Sequence, residues 1–160
     1  MNKLSQKIVK LLKKKKLKIS VAESCTGGMF SSVLTSVSGS SKVFTMGFVT
    51  YSNQSKNRLL KVPNSIINKY GAVSHQTAMS MVKGLKKISK SEILVSVTGV
   101  AGPSGGSTKT PVGCVYFGLG IKIKNKYHFT TIKQIFKERS RQKIQEKSLS
   151  LIHISEPTRP

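Results

Sequence analysis

The residues best suited to covalent chemistry lie in residues 39–56, read as GSSKVFTMGFVTYSNQSK. A turn of Gly39-Ser40-Ser41 opens this stretch, and Tyr51 and Lys56 close it. A serine hydroxyl with a lysine base is one way to hydrolyse an amide without histidine. A β-rich run over residues 43–50 separates the serines from the lysine. Because a strand of about eight residues rises roughly 26 Å, the two ends meet only if the chain folds back.

A second candidate region comes earlier, where a short apolar strand runs directly into a glycine-containing loop. Residues 17–22 predict the strand, Glu23-Ser24-Cys25-Thr26-Gly27-Gly28 forms the loop, and residues 29–37 predict a helix. Such a loop presents backbone N–H groups at a helix N-terminus, where a phosphate or a carboxylate binds well. The pattern is weaker than a P-loop, because GxxxxGK(S/T) is missing. The alternative is that the glycines only let the helix pack against the strand.

Two side chains of this loop have a specific interpretation of their own. Glu23 is the only acidic residue before residue 92, and it lies at the end of an apolar strand. This position favours a buried carboxylate that pairs with a cation over a carboxylate on the surface. Cys25 has no supporting histidine or asparagine nearby in the sequence. We therefore interpret Cys25 as a small buried thiol rather than a nucleophile.

A third candidate region is the glycine-rich run at residues 98–106, which follows an apolar strand over residues 93–97. Strands of this kind are buried on both faces of a sheet, and α/β folds bind ligands at the carboxyl ends of such strands. Thr98 and the N–H groups after it are therefore candidates to bind an oxyanion or a phosphate. The alternative is a flexible surface connection.

The remaining segments predict helices and strands that complete one α/β domain. Ser74 is a good N-cap for a helix that runs to about Ser89, and residues 124–126 predict a hairpin turn. A last helix is expected to begin near Ser140, and its neighbour Arg141 would point back at the site. The other predicted helices cover residues 3–16, 53–61 and 64–70, and the hairpin strands cover residues 111–121 and 127–136.

Composition limits the class of protein and its partners. The chain has 160 residues, which suits one domain, and 28 Lys and Arg against 5 Asp and Glu give a net charge of +23. We attribute most of this excess to compositional drift, since the lysines are spread over the whole chain; non-specific contact with nucleic acid is the alternative. No apolar run is long enough to span a membrane, and two cysteines without clustered histidines fit a reducing, cytoplasmic compartment and no metal site.

Residues 149–160, LSLIHISEPTRP, are similar to the conceptual translation of a transposase adapter used in library preparation. We therefore expect the domain to cover residues 1–148, with its last helix cut short, and residues 149–160 to be a non-native tail.

Five sequence blocks together resemble one known family. AESCTGG at residues 22–28, the stretch at 39–56, GAVS at 71–74, TGVAGPSGG at 98–106 and PVG at 111–113 occur in the order and spacing of the CinA C-terminal domain. The resemblance covers roughly residues 4–147. It implies a three-layer α/β/α sandwich with a mixed central sheet, commonly dimeric. In the stand-alone form of the family, it implies hydrolysis of the carboxamide of nicotinamide mononucleotide to nicotinate mononucleotide and ammonia, without a cofactor.

The resemblance also implies roles for individual residues. It makes Ser41 the nucleophile, Lys56 the base and Tyr51 the hydroxyl that relays or orients, with Ser40 as the fallback nucleophile. The expected substrate contacts are Glu23, Ser24, Thr26, Gly27, Gly28, Ser40, Thr98, Gly99, Gly102 and Arg141, of which Arg141 would reach the phosphate. His75 stands where the family often has Glu, and Arg139-Ser140-Arg141 stands where it often has Gly-Asp-Arg.

Two functions other than an amidohydrolase stay open at this point. A CinA-like domain without useful catalysis would be an interaction module in competence or DNA-damage response. A basic nucleic-acid binder would show affinity that falls steeply with salt, although the aromatic content of 6% is low for stacking on single strands. We expect no second, N-terminal domain, which would favour the stand-alone enzyme.

Overall fold

A computed structural model describes residues 2–138 and 140–150 of the chain, and its middle layer is a five-stranded sheet. The strands are β1 (Ile19–Glu23), β2 (Phe44–Val49), β3 (Ile93–Gly99), β4 (Cys114–Ile123) and β5 (Lys126–Ile135). Their order across the sheet is β2-β1-β3-β4-β5. Strand β1 runs parallel to β2 and β3, whereas β4 runs antiparallel to β3 and β5. The prediction of a mixed central sheet is confirmed.

Helices cover both faces of the sheet, which completes the three layers. They are α1 (Asn2–Lys15), α2 (Met29–Thr35), α3 (Asn53–Leu60), α4 (Asn64–Tyr70), α5 (His75–Ile88) and α6 (Arg141–Ser150). One apolar core joins the sheet to α1, α2 and α6, and it includes Leu12, Phe30 and Ile144. A second core on the other face joins it to α3, α4 and α5, and it includes Leu60 and Met81.

Alternation along the central strands explains why the sheet needs two cores. In β3, Val95 and Val97 belong to the first core, whereas Leu94 belongs to the second. Because successive side chains of a strand point to opposite faces, an apolar run in β3 must be covered on both sides. In β1, Val21 and Ala22 divide between the cores in the same way.

Most predicted elements match the structure to within two residues, but the first hairpin strand does not. That strand was expected from Pro111, whereas β4 begins at Cys114. The cause is a turn, because the Cys114 N–H donates to the Pro111 carbonyl oxygen at 2.9 Å. Ser74 caps α5 as predicted, and its hydroxyl oxygen accepts the Thr77 N–H at 3.1 Å.

The last helix reaches beyond the expected end of the domain. Leu149, the first residue of the predicted tail, is 2% exposed and packs in the first core. The remainder of that predicted tail, residues 151–160, lies outside the described residues. No helix in residues 2–138 and 140–150 has the length and apolarity needed to cross a membrane.

The parallel part of the sheet gathers three loops at one edge. Glu23 is in register with Val49 on one side and with Val97 on the other. Strands β1 and β2 therefore end at the same level, and β3 runs two residues further. Ser24 and Thr50, which follow β1 and β2, lie beside Thr98 of β3 at the carboxyl edge, which is where open α/β sheets bind their ligands.

Candidate active site

The structure separates Ser41 from Lys56, and the prediction that they form a pair is wrong. Ser40 and Ser41 lie in a short 3₁₀ turn before β2, at the amino edge of the sheet, and Lys56 follows β2 at the carboxyl edge. The six residues of β2 alone span roughly 17–20 Å. The chain does not fold back, because β2 is straightened by parallel pairing with β1.

The serines of the 3₁₀ turn have local roles instead. The Ser40 hydroxyl donates to the Thr35 carbonyl oxygen at 3.3 Å, which links the turn to the end of α2. Ser41 is exposed. Neither lines the cavity at the carboxyl edge, so the expectations that Ser40 contacts the substrate or replaces the nucleophile are also corrected.

Lys56 instead contacts Ser24, which the loop after β1 carries to the same edge. The Lys56 Nζ atom lies 2.9 Å from the Ser24 Oγ atom. Nζ also donates to the backbone carbonyl oxygens of Thr50 at 3.0 Å and Tyr51 at 3.4 Å. Ser24 was expected first as a substrate contact and, after Ser40, as a fallback nucleophile; its hydroxyl is the one within hydrogen-bond distance of the lysine. This geometry is that of a serine nucleophile with a lysine base.

Burial prepares Lys56 for the role of a base. The side chain is 2% exposed, and within residues 2–138 and 140–150 it forms no ion pair with a carboxylate. Desolvation lowers the pKa of Lys56, and the nearby Cys25 opposes this only in part. A neutral amine that donated its two N–H groups to the carbonyls of Thr50 and Tyr51 would have its lone pair available to accept the Ser24 O–H.

Cys25 lines the same cavity but does not share this chemistry. Its thiol is 5% exposed and belongs to the first core. Burial raises the pKa of Cys25 to about 12, so the thiol stays protonated at neutral pH. The prediction of a small buried thiol is confirmed.

Glu23 is internal, but its partners are not a cation or a substrate. The carboxylate is fully buried and accepts five hydrogen bonds within the β1–α2 unit. Oε2 accepts from the Thr26 hydroxyl at 2.7 Å and from the N–H groups of Gly28 and Phe30. Oε1 accepts from the N–H and the hydroxyl of Ser31 at 2.8 and 2.7 Å. Glu23 therefore caps α2 from outside the helix and does not contact a ligand, which corrects the expectation.

The predicted contacts Thr26, Gly27 and Gly28 form the turn behind Ser24. Thr26 is buried, and its hydroxyl is held by Glu23. Gly27 and Gly28 have φ values of 59° and 94°, a left-handed region that glycine adopts without strain. None of the three lines the cavity. They shape the turn that presents Ser24, and their expected contact with the substrate stays a prediction.

The cavity above Ser24 and Lys56 is open and has a volume of about 280 Å³. Its wall combines the loop after β1, the start of α3, the loop before α5, the glycine-rich loop after β3 and the start of α6. The lining residues are Ser24, Cys25, Tyr51, Asn53, Lys56, Ala72, Val73, Thr98, Gly99, Val100, Ala101, Gly102, Ser104, Gly105 and Arg141. Asn53 is a lining residue that the sequence analysis missed.

The predicted contacts of the glycine-rich loop do line the cavity. The Thr98 hydroxyl donates to the Ala72 carbonyl oxygen at 2.7 Å, so it joins two walls. Gly102 has a φ of 73°, and a Cβ atom there would collide with Val112. At Gly99 a Cβ atom would meet the backbone of Cys114 at 2.8 Å. These two glycines let the loop lie against the start of β4.

Tyr51 and Arg141 meet at the mouth of the cavity. The Arg141 Nη1 atom donates to the Tyr51 hydroxyl oxygen at 3.2 Å. The position predicted for Arg141 is therefore confirmed, although its role in binding stays a prediction. The Tyr51 side chain is 60% exposed, and it is its backbone carbonyl, not its hydroxyl, that contacts Lys56. Tyr51 thus stands at the rim rather than between the serine and the lysine.

His75, which replaces the more usual glutamate, lies away from the cavity wall. Its Nδ1 atom is 2.8 Å from the Thr131 hydroxyl, and its ring packs edge-on against Tyr116 at 4.6 Å. It is not a lining residue. Among the described residues, no group of three or more His, Cys, Asp or Glu side chains is placed to hold a metal ion.

The family model of the CinA C-terminal domain matches residues 1–152. The chain belongs to the CinA C-terminal domain family. A CinA-like protein of Pseudothermotoga lettingae is 46% identical over 139 residues, which are 85% of this chain and 34% of that protein. A putative competence-damage inducible protein of Caldicellulosiruptor bescii is 52% identical over 119 residues, 74% of this chain and 29% of that protein. This CinA-family chain thus spans about a third of these curated relatives.

Solved structures of the CinA superfamily have the same fold. The competence/damage inducible protein CihA of Agrobacterium tumefaciens superimposes with a TM-score of 0.88 at 35% identity, covering 97% of this chain and 95% of that one. A competence or damage-inducible protein of Enterobacter asburiae gives a TM-score of 0.83 at 30% identity, covering 96% and 94%. The CinA fold therefore extends over the whole described domain.

Proposed function

We propose that this CinA-family domain hydrolyses a carboxamide, with Ser24 as the nucleophile and Lys56 as its base. The observation that carries the proposal is the 2.9 Å contact between Lys56 Nζ and Ser24 Oγ at the base of an open cavity. A buried lysine beside a serine has little structural purpose, since the charged form is costly to desolvate. As a neutral base, the same lysine needs that burial.

The proposed reaction has two steps. Neutral Lys56 takes the proton of the Ser24 hydroxyl while Oγ attacks the carboxamide carbon. The protonated lysine then gives its proton to the leaving nitrogen, the C–N bond breaks and ammonia departs, which leaves an ester on Ser24. Water, activated by the again neutral Lys56, hydrolyses this ester to the carboxylic acid and frees the Ser24 hydroxyl. Backbone N–H groups of the loop after β3 would stabilise the tetrahedral oxyanion, apart from Pro103, which has no N–H, and Val100, whose N–H donates to the Cys114 carbonyl oxygen.

Nicotinamide mononucleotide is the substrate we propose, because the family resemblance implies it and the cavity suits its charges. Arg141 offers a guanidinium to the phosphate at the cavity mouth. Among the described residues no carboxylate lines the cavity, so the cationic pyridinium ring would rest on the exposed ring of Tyr51. Association into a homodimer, which the resemblance also implies, stays a prediction.

The test is ammonia release from nicotinamide mononucleotide, compared across four forms of the protein. Ser24→Ala and Lys56→Met should each lower kcat by at least about a thousandfold, the scale seen when a member of such a set is removed. Ser41→Ala is the matched control and should retain the parent rate, since Ser41 lies at the opposite edge of the sheet. A folded Ser24→Ala protein with parent activity would refute the assignment.

A second function, an interaction module without catalysis, is favoured by the names of the relatives. Those names refer to competence and damage induction and not to a reaction. This function predicts a well-folded parent that releases no ammonia from the nucleotide. Contact with nucleic acid through the net charge of +23 would be non-specific and would weaken steeply as salt is added.

A further inference from the structure

The turn that presents Ser24 is held on two sides by very different groups. On its inner side, the Glu23 carboxylate binds the Thr26 hydroxyl and the first N–H groups of α2. The turn itself is closed by the Gly27 N–H, which donates to the Ser24 carbonyl oxygen at 3.0 Å. The carbonyl of Cys25, the residue after the nucleophile, is left for a partner from elsewhere in the chain.

That partner is Gln145 of α6, which is 120 residues away in sequence. Its amide Nε2 donates to the Cys25 carbonyl oxygen at 2.8 Å. The half-buried position of Gln145 lets the amide reach the turn without entering the apolar core. Within the described residues, Ile144 anchors the same turn of α6 in that core at 1% exposure. The donor is therefore fixed to the body of the domain.

Arg141 shows that this face of α6 is directed at the site. Arg141 and Gln145 are four residues apart, so they lie on the same side of the helix, one turn from each other. One reaches the Tyr51 hydroxyl at the cavity mouth, and the other reaches the turn below it. Gln142 of the same helix points elsewhere, because its amide donates to Glu146 at 3.0 Å.

We propose that Gln145 is a positioning residue for the nucleophile, holding the Ser24–Cys25 turn so that the Ser24 hydroxyl faces Lys56. This proposal rests on the proposed serine–lysine chemistry but not on the identity of the amide substrate. A displacement of about 1 Å at a reacting group can cost about a hundredfold in rate. Loss of the Gln145 amide should therefore slow every reaction of Ser24 without changing the binding surface of the cavity.

The experiment measures how fast a small fluorophosphonate labels Ser24, with mass spectrometry to locate the label. Methionine keeps the length of glutamine and its helix preference but cannot donate. Gln145→Met should lower the labelling rate constant by about tenfold to a hundredfold, and Gln142→Met should leave it at the parent value. Kinetics on nicotinamide mononucleotide should show the same fall in kcat with KM unchanged.

Each outcome decides a different point. A fall of less than about fivefold in a folded Gln145→Met protein would overturn the positioning role. If the parent is labelled at Ser24 yet releases no ammonia, the substrate assignment fails and the labelling comparison still tests Gln145. A parent that is not labelled at Ser24 overturns both. If Gln145→Met unfolds at a lower temperature than the parent, Gln145→Lys is compared with Gln145→Glu instead. Only the lysine side chain can donate to the Cys25 carbonyl oxygen, so equal labelling rates in these two variants would refute the positioning role.

Discussion

The substitution Glu23→Gln tests the claim that a buried carboxylate holds the nucleophile turn together. Glutamine has the same shape, but one of its two terminal atoms is a donor, and its acceptor carries no full charge. The better orientation keeps the amide oxygen where Oε2 accepts from Thr26, Gly28 and Phe30. The amide NH₂ then faces Ser31, whose hydroxyl can rotate to accept, whereas its N–H cannot.

The cost of this change follows from those contacts. A hydrogen bond to a charged acceptor contributes about 1.5–3 kcal/mol and one to a neutral acceptor about 0.5–1.5 kcal/mol, so each of the three bonds at Oε2 loses about 1 kcal/mol. The Ser31 N–H, left facing a donor, costs about 1–3 kcal/mol more. Because such terms are not fully additive, we expect a loss of about 3–5 kcal/mol in the free energy of unfolding. That is a large part of the ordinary total of about 5–15 kcal/mol.

Urea unfolding at neutral pH measures this loss, and Glu92→Gln is the matched control. Among the described residues, the Glu92 carboxylate accepts one hydrogen bond, from the Lys18 N–H at 2.8 Å, so its substitution should cost about 1 kcal/mol. With a slope near 2 kcal/mol per molar urea, Glu23→Gln should lower the midpoint by about 2 M. If the two variants shift the midpoint equally, the Glu23 carboxylate does not hold the turn as we describe.

Two further predictions concern the cavity. Burial lowers the pKa of Lys56 in the folded protein. At pH values between that lowered pKa and the ordinary value of about 10.4, the unfolded chain binds more protons than the folded one, so the free energy of unfolding rises with pH. The parent should therefore gain stability relative to Lys56→Met as pH rises, and kcat/KM should rise with it; a difference in melting temperature that is flat with pH would contradict this. Cys25→Ala should keep kcat within about threefold, because a thiol with a pKa near 12 is protonated at neutral pH; abolished turnover in a folded variant would show that the thiol takes part.

Much of the architecture could be predicted from the sequence because burial leaves a periodic trace. The apolar run of β3 and the amphipathic pattern of α5 gave the correct element types. Gly102 marked a loop at the cavity. Arg141 was placed correctly at the cavity. Leu149 shows a limit of this approach, because its buried position comes from a packing contact that has no signal in the local sequence.

The pairing at the centre of the site could not be predicted by joining residues that are close in sequence. Ser41 and Lys56 are separated by fifteen positions, but a strand of six residues lies between them. Ser24 is thirty-two positions from Lys56 and yet in contact with it. The usable signal was topological, because loops after neighbouring parallel strands meet at one edge. Applied to β1 and β2, that rule selects Ser24 and excludes Ser41.

The lysine excess and the buried Lys56 are separate features of this chain. The pKa of Lys56 is lowered by desolvation and not by neighbouring cations, and Cys25 acts in the opposite direction. Among the described residues, Lys56 is the only lysine that is buried. Exposed lysines are screened by water and salt and act weakly on a group in the interior. The surface charge could therefore change during evolution without altering the site, provided that the loops after β1 and β2 continue to exclude water from Lys56.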